Sequence, residues 1–152
     1  MSRDAHNPGR NTLPDCIFCR IVDGQAPASV VYQDDRIIVI MDTHPQARGH
    51  ALVIPKQHQA SLADLDEDLG AHLFRVAMRV DRALRASPIP CDGVRLVLSD
   101  GKAAGQEVPH VHMHVIPCVQ GNWPARRHDV PRSDLDADAA SLAKAYRRLF
   151  DA

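Results

Sequence analysis

The chain has 152 residues, of which 45% are hydrophobic and 24% are charged, and its net charge is −1. This length fits one domain with one hydrophobic core. The balanced charge lacks the basic stripe that nucleic-acid binding needs, and no apolar run approaches the roughly 18 residues of a membrane span. We therefore expect neither a nucleic acid nor a membrane as a partner.

Residues 1–15 are polar and contain proline and glycine, without the apolar stretch of a signal peptide. We expect a flexible tail over 1–15, one domain over 16–152 and a cytoplasmic location. In that reducing compartment, a pair such as Cys16-x-x-Cys19 is more often metal-binding or redox-active than a structural disulfide.

Three strands are predicted in the first half of the domain. The runs 30–32 and 37–41 are rich in β-branched residues, and the two aspartates between them indicate a hairpin turn. A loop over 43–49 leads to a third strand over 50–54, which Pro55 ends.

A long helix is predicted in the middle of the chain. Ser61 is a suitable N-cap with Asp64 three residues later, and leucine and valine then recur at helical spacing as far as Leu84. We expect this helix to end near Ser87, ahead of two prolines.

The last third of the chain predicts two strands and a helix. The strands span 94–98 and 108–118, a glycine-rich loop over 100–105 joins them, and the terminal helix spans 134–150. The element order β-β-β-α-β-β-α predicts an α+β fold with a mainly antiparallel five-stranded sheet, one long central helix and a C-terminal helix.

Three histidines alternate with apolar residues in the last predicted strand. Successive strand residues point to opposite faces, so His110, His112 and His114 share one face, about 7 Å apart. A merely polar face would normally mix threonine, lysine and glutamate. Strand histidines also suit zinc, and imidazole suits nucleophilic and acid–base catalysis. The opposite face, which must be the core face, carries Val111, Met113 and Val115.

The residues before these histidines favour catalysis at a phosphate. Gly101 and Gly105 let backbone N–H groups approach an anion closely, and the Gln106 amide can hold a phosphate oxygen. Imidazole attacks phosphorus to give a phosphoramidate that water later cleaves, and a neighbouring imidazolium stabilises the developing charge.

The segment 105–116, Gly-Gln-Glu-Val-Pro-His-Val-His-Met-His-Val-Ile, resembles the signature of the histidine triad family. The blocks 42–58 and 16–24 are similar to the same family, above all to its Hint-like branch and bacterial relatives. The resemblance covers most of the chain, from about residue 16 to 123. It implies the histidine triad fold and cleavage at the α-phosphate of a purine nucleotide through a nucleotidyl-histidine intermediate.

The resemblance also implies catalytic roles. His112 matches the nucleophile, and the backbone carbonyl of His110 holds the second ring nitrogen of that nucleophile. His114 matches a phosphate contact. His50 matches a fourth histidine, which supports the nucleophile from the neighbouring strand.

A nucleotide site is implied in the same way. Asp42 matches the carboxylate that accepts the ribose hydroxyls. Ser99 stands where the Hint branch usually has asparagine, and Glu107 where it has a serine or threonine that helps to protonate the leaving amine. A carboxylate there repels a phosphate unless it is protonated, in which state it could act as the acid. The implied nucleotide-binding residues are Ile17, Phe18, Ile21, Met41, Asp42, Thr43, Ser99, Gly105, Gln106 and Glu107.

For the cysteine pair, the resemblance implies a structural zinc site formed by Cys16, Cys19, His58 and His110. Two half-buried thiols without a metal are the alternative. A thioredoxin-like role would need a βαβ context, which the pattern lacks. No organic cofactor is expected.

Several functions remain open at this point. Adenosine phosphoramidates and aminoacyl-adenylates are the substrates expected first. The family resemblance also implies a homodimer whose sheets join edge to edge. The alternatives are a dinucleoside polyphosphate hydrolase on the same fold, a nucleotide-binding protein with little turnover, and a metal-dependent hydrolase with zinc on the histidine face.

Overall fold

The computed structural model describes residues 12–124 and 129–151, so residues 1–11 of the expected tail lie outside the described residues. Five strands form one antiparallel sheet in the order β1-β2-β3-β5-β4. The predicted α+β class and its five-stranded sheet are confirmed. The strands are β1 (Val30–Gln33), β2 (Ile37–Met41), β3 (Ala51–Pro55), β4 (Gly93–Val97) and β5 (Met113–Cys118).

Three α-helices accompany the sheet: α1 (Ile17–Val22), α2 (Glu67–Ala86) and α3 (Arg132–Phe150). Helix α2 packs against β3, β5 and α3, and α3 also packs against β1 and β2. The predicted central and C-terminal helices are therefore confirmed. None of the helices in the described part of the chain is long and apolar enough to cross a membrane.

The sheet separates two hydrophobic cores. On one face, Val39 and Val53 pack with α2 and α3 in the main core. On the other face, Ile40 and Leu52 pack with Phe18 of α1 in a smaller core. Because neighbouring residues of one strand point to opposite faces, β2 and β3 are buried on both sides. The smaller core forms the floor on which the candidate site is built.

Helix α1 is an element that the sequence pattern did not predict. It has six residues, and its N-cap, Cys16, makes no side-chain capping bond. Short helices without caps depend on tertiary packing, and here Phe18 and Cys19 supply it by being buried. The signal available in the sequence was the apolar pair Ile17 and Ile21, four residues apart on one helix face.

The predicted start of the central helix at Ser61 is wrong. The hydroxyl of Ser61 accepts a bond from the Ala63 N–H, but this bond caps only a 3-10 turn over Leu62–Asp64. Leu65 then takes an extended conformation (φ −76°, ψ 135°), which ends the turn. Helix α2 begins afterwards, where Asp66 Oδ2 accepts a bond from the Leu69 N–H at 3.1 Å.

The predicted last strand, 108–118, begins too early, because β5 starts at Met113. The ladder to β3 runs only as far as the pair Val53 and Met113. Pro55 of β3 has no N–H to donate, and its carbonyl accepts a bond from His110 Nε2 at 2.7 Å. His110 and His112 therefore precede the strand, and only His114 lies within it. The predicted core-facing residues Val111, Met113 and Val115 all lie in the main core.

Candidate active site

A cavity of about 520 Å³ opens on the face of the sheet that carries α1. This volume falls within the roughly 300–1,000 Å³ typical of small-molecule sites. His112 and His114 line it, together with every residue predicted to bind a nucleotide. Those residues are Ile17, Phe18, Ile21, Met41, Asp42, Thr43, Ser99, Gly105, Gln106 and Glu107.

The tautomer of His112 follows from one hydrogen bond. Its Nδ1 lies 2.7 Å from the backbone carbonyl oxygen of His110, and a carbonyl can only accept, so Nδ1 carries the proton. The lone pair of the neutral ring is then on Nε2. The Phe18 ring packs against the imidazole in a T-shaped arrangement, with 5.0 Å between the ring centroids. His112 thus lines the cavity as an oriented imidazole with a nucleophilic Nε2.

A second chain of hydrogen bonds sets the tautomer of His114. The Gln46 N–H donates to His50 Nδ1 at 3.1 Å, which places the proton of a neutral His50 on Nε2. That Nε2–H donates to His114 Nδ1 at 2.9 Å. A neutral His114 consequently carries its proton on Nε2, as a donor suited to a phosphate oxygen. The support expected from the fully buried His50 reaches the cavity through His114.

The position of His50 depends on a glycine before β3. Gly49 has φ +88°, a conformation that side chains other than glycine rarely adopt. A Cβ atom there would lie 2.8 Å from Ile89 Cγ2 and 3.2 Å from Leu84 Cδ2. Glycine therefore lets the loop after β2 pack closely on the main core and deliver His50 to the site.

Asp42 places a nearly buried carboxylate beside these histidines. Its Oδ1 accepts a bond from the His44 N–H at 2.9 Å, and its Oδ2 lies 3.4 Å from His50 Nε2 and 3.8 Å from His114 Nδ1. The three side chains could in principle ligate a metal ion. The bond from the Gln46 N–H argues against this, because it leaves His50 Nε2 protonated and without a lone pair for a metal.

The predicted metal ligands converge in a separate cluster. The ligand atoms of Cys16, Cys19, His58 and His110 lie within 4.8 Å of one another. His110 Nδ1 is 3.4 Å from Cys16 Sγ, 3.6 Å from Cys19 Sγ and 3.2 Å from His58 Nδ1, and the Cys19–His58 distance is 3.3 Å. With Zn–N near 2.05 Å and Zn–S near 2.3 Å, a tetrahedron has edges of about 3.3–3.8 Å. The four side chains therefore fit zinc by geometry.

The protonation chemistry of the cluster also fits a metal. His110 Nε2 donates to the Pro55 carbonyl, so the lone pair on Nδ1 faces the two thiols. Burial lowers the pKa of His110 to about 4 and also lowers that of His58, so both rings are neutral ligands at pH 7. Burial raises the pKa of the Cys19 thiol to about 11, and a bound cation would instead favour the thiolate.

Gln106 holds the glycine-rich loop together. Its Oε1 accepts a bond from the Gly101 N–H at 2.7 Å, and its Nε2 donates to the carbonyls of Ala60 and Val108, both at 3.0 Å. Gly101 and Gly105 both have positive φ, as this tight loop requires. To hold a phosphate oxygen as predicted, the Gln106 amide would have to share or exchange one of these bonds.

The family model of the HIT domain matches residues 23–121, about two thirds of the chain. The chain belongs to the HIT, or histidine triad, family. A zinc-bound histidine triad family protein from Mycobacterium smegmatis has a similar structure, with 39% sequence identity and a TM-score of 0.82. The alignment covers 89% of this chain and 95% of that one.

Two further relatives of this HIT protein have names that describe a ligand or an activity. A hypothetical histidine triad nucleotide-binding protein from Sulfolobus tokodaii is 30% identical, with a TM-score of 0.81, over 88% of this chain and 93% of that chain. The adenylylsulfatase HINT3 of Arabidopsis thaliana is 33% identical over 139 residues, which are 88% of this chain and 68% of the relative.

The cavity also has charged walls that the sequence pattern did not predict. Arg95 of β4 and Arg132 of α3 both line it. Arg132 Nη1 donates to the hydroxyl of buried Ser29 at 3.0 Å, which places the start of α3 at the cavity. Strand alternation could have indicated Arg95, since it lies on the same face of β4 as Val97, a cavity residue. Nothing in the sequence pattern indicates where α3 packs.

Proposed function

We propose that this protein cleaves the bond between the α-phosphate of a purine nucleotide and its leaving group, through a nucleotidyl-His112 intermediate. The observation that carries the proposal is the bond from His112 Nδ1 to the His110 carbonyl, because it leaves the lone pair of the neutral ring on Nε2, in a side chain that lines the cavity. The membership in the HIT family and the named nucleotide-binding and hydrolase relatives support the same reaction.

The proposed reaction has two steps. In the first, the lone pair on His112 Nε2 forms a bond to phosphorus, the bond from phosphorus to the leaving nitrogen or oxygen breaks, and the leaving group takes up a proton from solvent. In the second, water attacks phosphorus and gives up a proton to solvent. The N–P bond breaks, which releases the nucleoside monophosphate and restores the imidazole. Throughout, the His110 carbonyl stabilises the Nδ1–H of the charged ring, and the His114 Nε2–H donates to the phosphate.

The rest of the cavity supports a nucleotide in this reaction. The apolar side chains of Ile17, Phe18 and Ile21 line the cavity and offer the kind of surface on which a purine ring packs. Asp42 lines the same cavity, with Oδ2 3.8 Å from His114 Nδ1, and its carboxylate can accept ribose hydroxyls. The substrates that we propose first are adenosine phosphoramidates and aminoacyl-adenylates.

The proposal is tested by trapping the intermediate. We expect a covalent adenylyl adduct when the protein is mixed with an adenosine phosphoramidate and denatured without acid, as measured by intact-protein mass spectrometry. His112→Ala should lose the adduct entirely. His44→Ala, which removes an exposed imidazole from the rim of the cavity, should keep it. An adduct that persists in His112→Ala would assign the nucleophile to another residue.

A second candidate is nucleotide binding with little turnover. It is favoured by Glu107, a carboxylate on the cavity wall, and by the Gln106 amide, whose two donated bonds already go to the backbone. AMP binding by calorimetry without any adduct or hydrolysis would support this candidate. Hydrolysis of diadenosine polyphosphates in preference to phosphoramidates would instead support the dinucleoside polyphosphate hydrolase. The protonated Nε2 of His50 disfavours a metal-dependent hydrolase on the histidine face.

We also propose that zinc is the ion of the cysteine–histidine cluster and that its role is structural. Bound there, zinc would supply no chemistry to the cavity but would join Cys16 and Cys19 to His58, after β3, and His110, before β5. The segment before and within α1 would then be fixed against β3. The zinc-bound relative from Mycobacterium smegmatis supports the choice of metal.

We keep as proposals the tail over 1–15, the domain over 16–152 and the cytoplasmic location.

The expected homodimer is also part of the proposal. β4 is at the edge of the sheet, and its Leu96 is 39% exposed. Phe74 and Met78 of α2, four residues apart, are also exposed on the α2 side of the sheet. We expect light scattering to give twice the chain mass, and Leu96→Glu to give the monomer. A monomeric wild-type protein would contradict the dimer.

A further inference from the structure

The cavity is chemically different on its two sides. Towards α1 it is apolar, with Phe18 and Leu52 among its walls. Towards the sheet edge, its walls are formed by β4 and by Ile116 of β5. Arg95 supplies a positive charge on this second side. The reacting histidines lie between the two sides, because β5 lies between β3 and β4 in the sheet.

The strand register fixes the position of Arg95 relative to His114. Val97 pairs with His114, and Arg95 pairs with Ile116, so Arg95 is two residues, or about 7 Å, further along the strands. Both Arg95 and Val97 line the cavity. An arginine side chain is long enough to span this distance, so a group attached to a phosphate at His114 could extend towards its charge.

The guanidinium of Arg95 is oriented by an aromatic ring. It lies 5.0 Å from the centroid of the Trp123 ring, a cation–π arrangement. Within residues 12–124 and 129–151, no carboxylate lies within ion-pair distance of Arg95. The carboxylates that line the cavity, Asp42 and Glu107, belong to the loop after β2 and the loop before β5. The positive charge of Arg95 is therefore available to a ligand.

We propose that Arg95 selects substrates whose leaving group carries a negative charge, such as a carboxylate. This inference rests on the proposed function, because it takes the base to the apolar α1 side of the cavity and the α-phosphate to His112. The α1 side of the cavity is then occupied by base and ribose, which leaves the β4 side for the leaving group. Pairing of β4 with a second chain would use backbone groups in the plane of the sheet and not the side chains of this face.

The inference is tested with two substrates that differ in one charge. These are the adenosine 5′-phosphoramidates of alanine, which has a carboxylate, and of alaninamide, which is neutral at that position. We expect Arg95→Gln to lower kcat/KM for the alanine compound about tenfold, roughly 1.4 kcal/mol. In the same variant, kcat/KM for the alaninamide compound should change less than twofold. Arg95→Lys should retain most of the preference for the alanine compound over the alaninamide compound.

The control variant is Arg148→Gln, which removes an exposed charge from the last turn of α3. Because α3 has 19 residues and Arg132 at its start lines the cavity, Arg148 lies more than 20 Å away along the helix. This variant should leave kcat/KM unchanged for both substrates. Equal losses for both substrates in Arg95→Gln would show that Arg95 only supports Trp123, and no loss would also overturn the inference.

A binding measurement separates this inference from the proposed reaction. Both compounds are titrated into His112→Ala, with and without Arg95→Gln, so that neither is consumed. We expect tighter binding of the alanine compound, and we expect Arg95→Gln to abolish the difference. Equal affinities in His112→Ala would overturn the inference even if the wild-type protein forms the adduct. Absence of the adduct in the wild-type protein would count against the proposed function alone.

Discussion

Asp34 is the residue that joins the β1–β2 turn to the central helix. Its Oδ1 accepts bonds from the backbone N–H groups of Arg36 and Ile37, both at 2.8 Å. Its Oδ2 accepts from the Tyr32 hydroxyl at 2.8 Å and faces His72 Nε2 of α2 at 2.7 Å. Burial raises the pKa of Asp34, but the bonds from His72, Arg36, Tyr32 and Ile37 outweigh burial and lower it to about 2.

Asp34→Asn should therefore destabilise the protein in a pH-dependent way. The pKa of Asp34 is lower in the folded chain than its ordinary value of 3.8. The stabilisation is then present above about pH 4 and is lost as the pH falls towards 2. We expect a loss on the order of 1–2 kcal/mol at pH 7, measured by denaturant unfolding, and a much smaller loss at pH 2.5. Asp35→Asn, in the exposed neighbour, should cost less than about 0.5 kcal/mol at both pH values.

At the scale of elements, the start of α2 can be tested directly. Asp66→Ala removes the N-cap side chain that bonds the Leu69 N–H, and should cost about 1 kcal/mol in unfolding free energy. Ser61→Ala should cost less, since its hydroxyl caps only the 3-10 turn. A larger loss for Ser61→Ala than for Asp66→Ala in chemical denaturation would contradict this assignment.

Elements with a strong local pattern could be predicted from the sequence. The bounds of β2 agree with the prediction, and α3 starts two residues before the predicted residue 134. The start of β5 could not be predicted, because it depends on a bond between Pro55 and His110, which are 55 residues apart. The zinc ligands could be proposed only from the family resemblance, since no periodicity relates Cys16 to His110. Arg132 was missed because the packing of α3 decides its position.

For the whole molecule, the proposed zinc at Cys16, Cys19, His58 and His110 would hold the segment before and within α1 against the sheet. The wild-type protein should contain one zinc ion per chain by inductively coupled plasma analysis, and Cys16→Ala should contain none. We compare the protein in free zinc at a thousandfold its Kd with the same protein after zinc is removed. Removal should lower the unfolding free energy by on the order of 4 kcal/mol. Cys118→Ser, outside the cluster, should keep the metal. A zinc-free wild-type protein would refute the site.

Phe18 gives the metal cluster and the cavity a common wall. Its ring lies 5.7 Å from that of His110, in the cluster, and 5.0 Å from that of His112, in the cavity. A nucleotide that orders Phe18 would therefore favour the metal-bound arrangement, and thermodynamic linkage requires the reverse effect to be equal. Competition with a colorimetric chelator should show tighter zinc binding when AMP is present, by the same factor by which zinc tightens AMP. For this protein, zinc availability would then set how strongly the nucleotide is held.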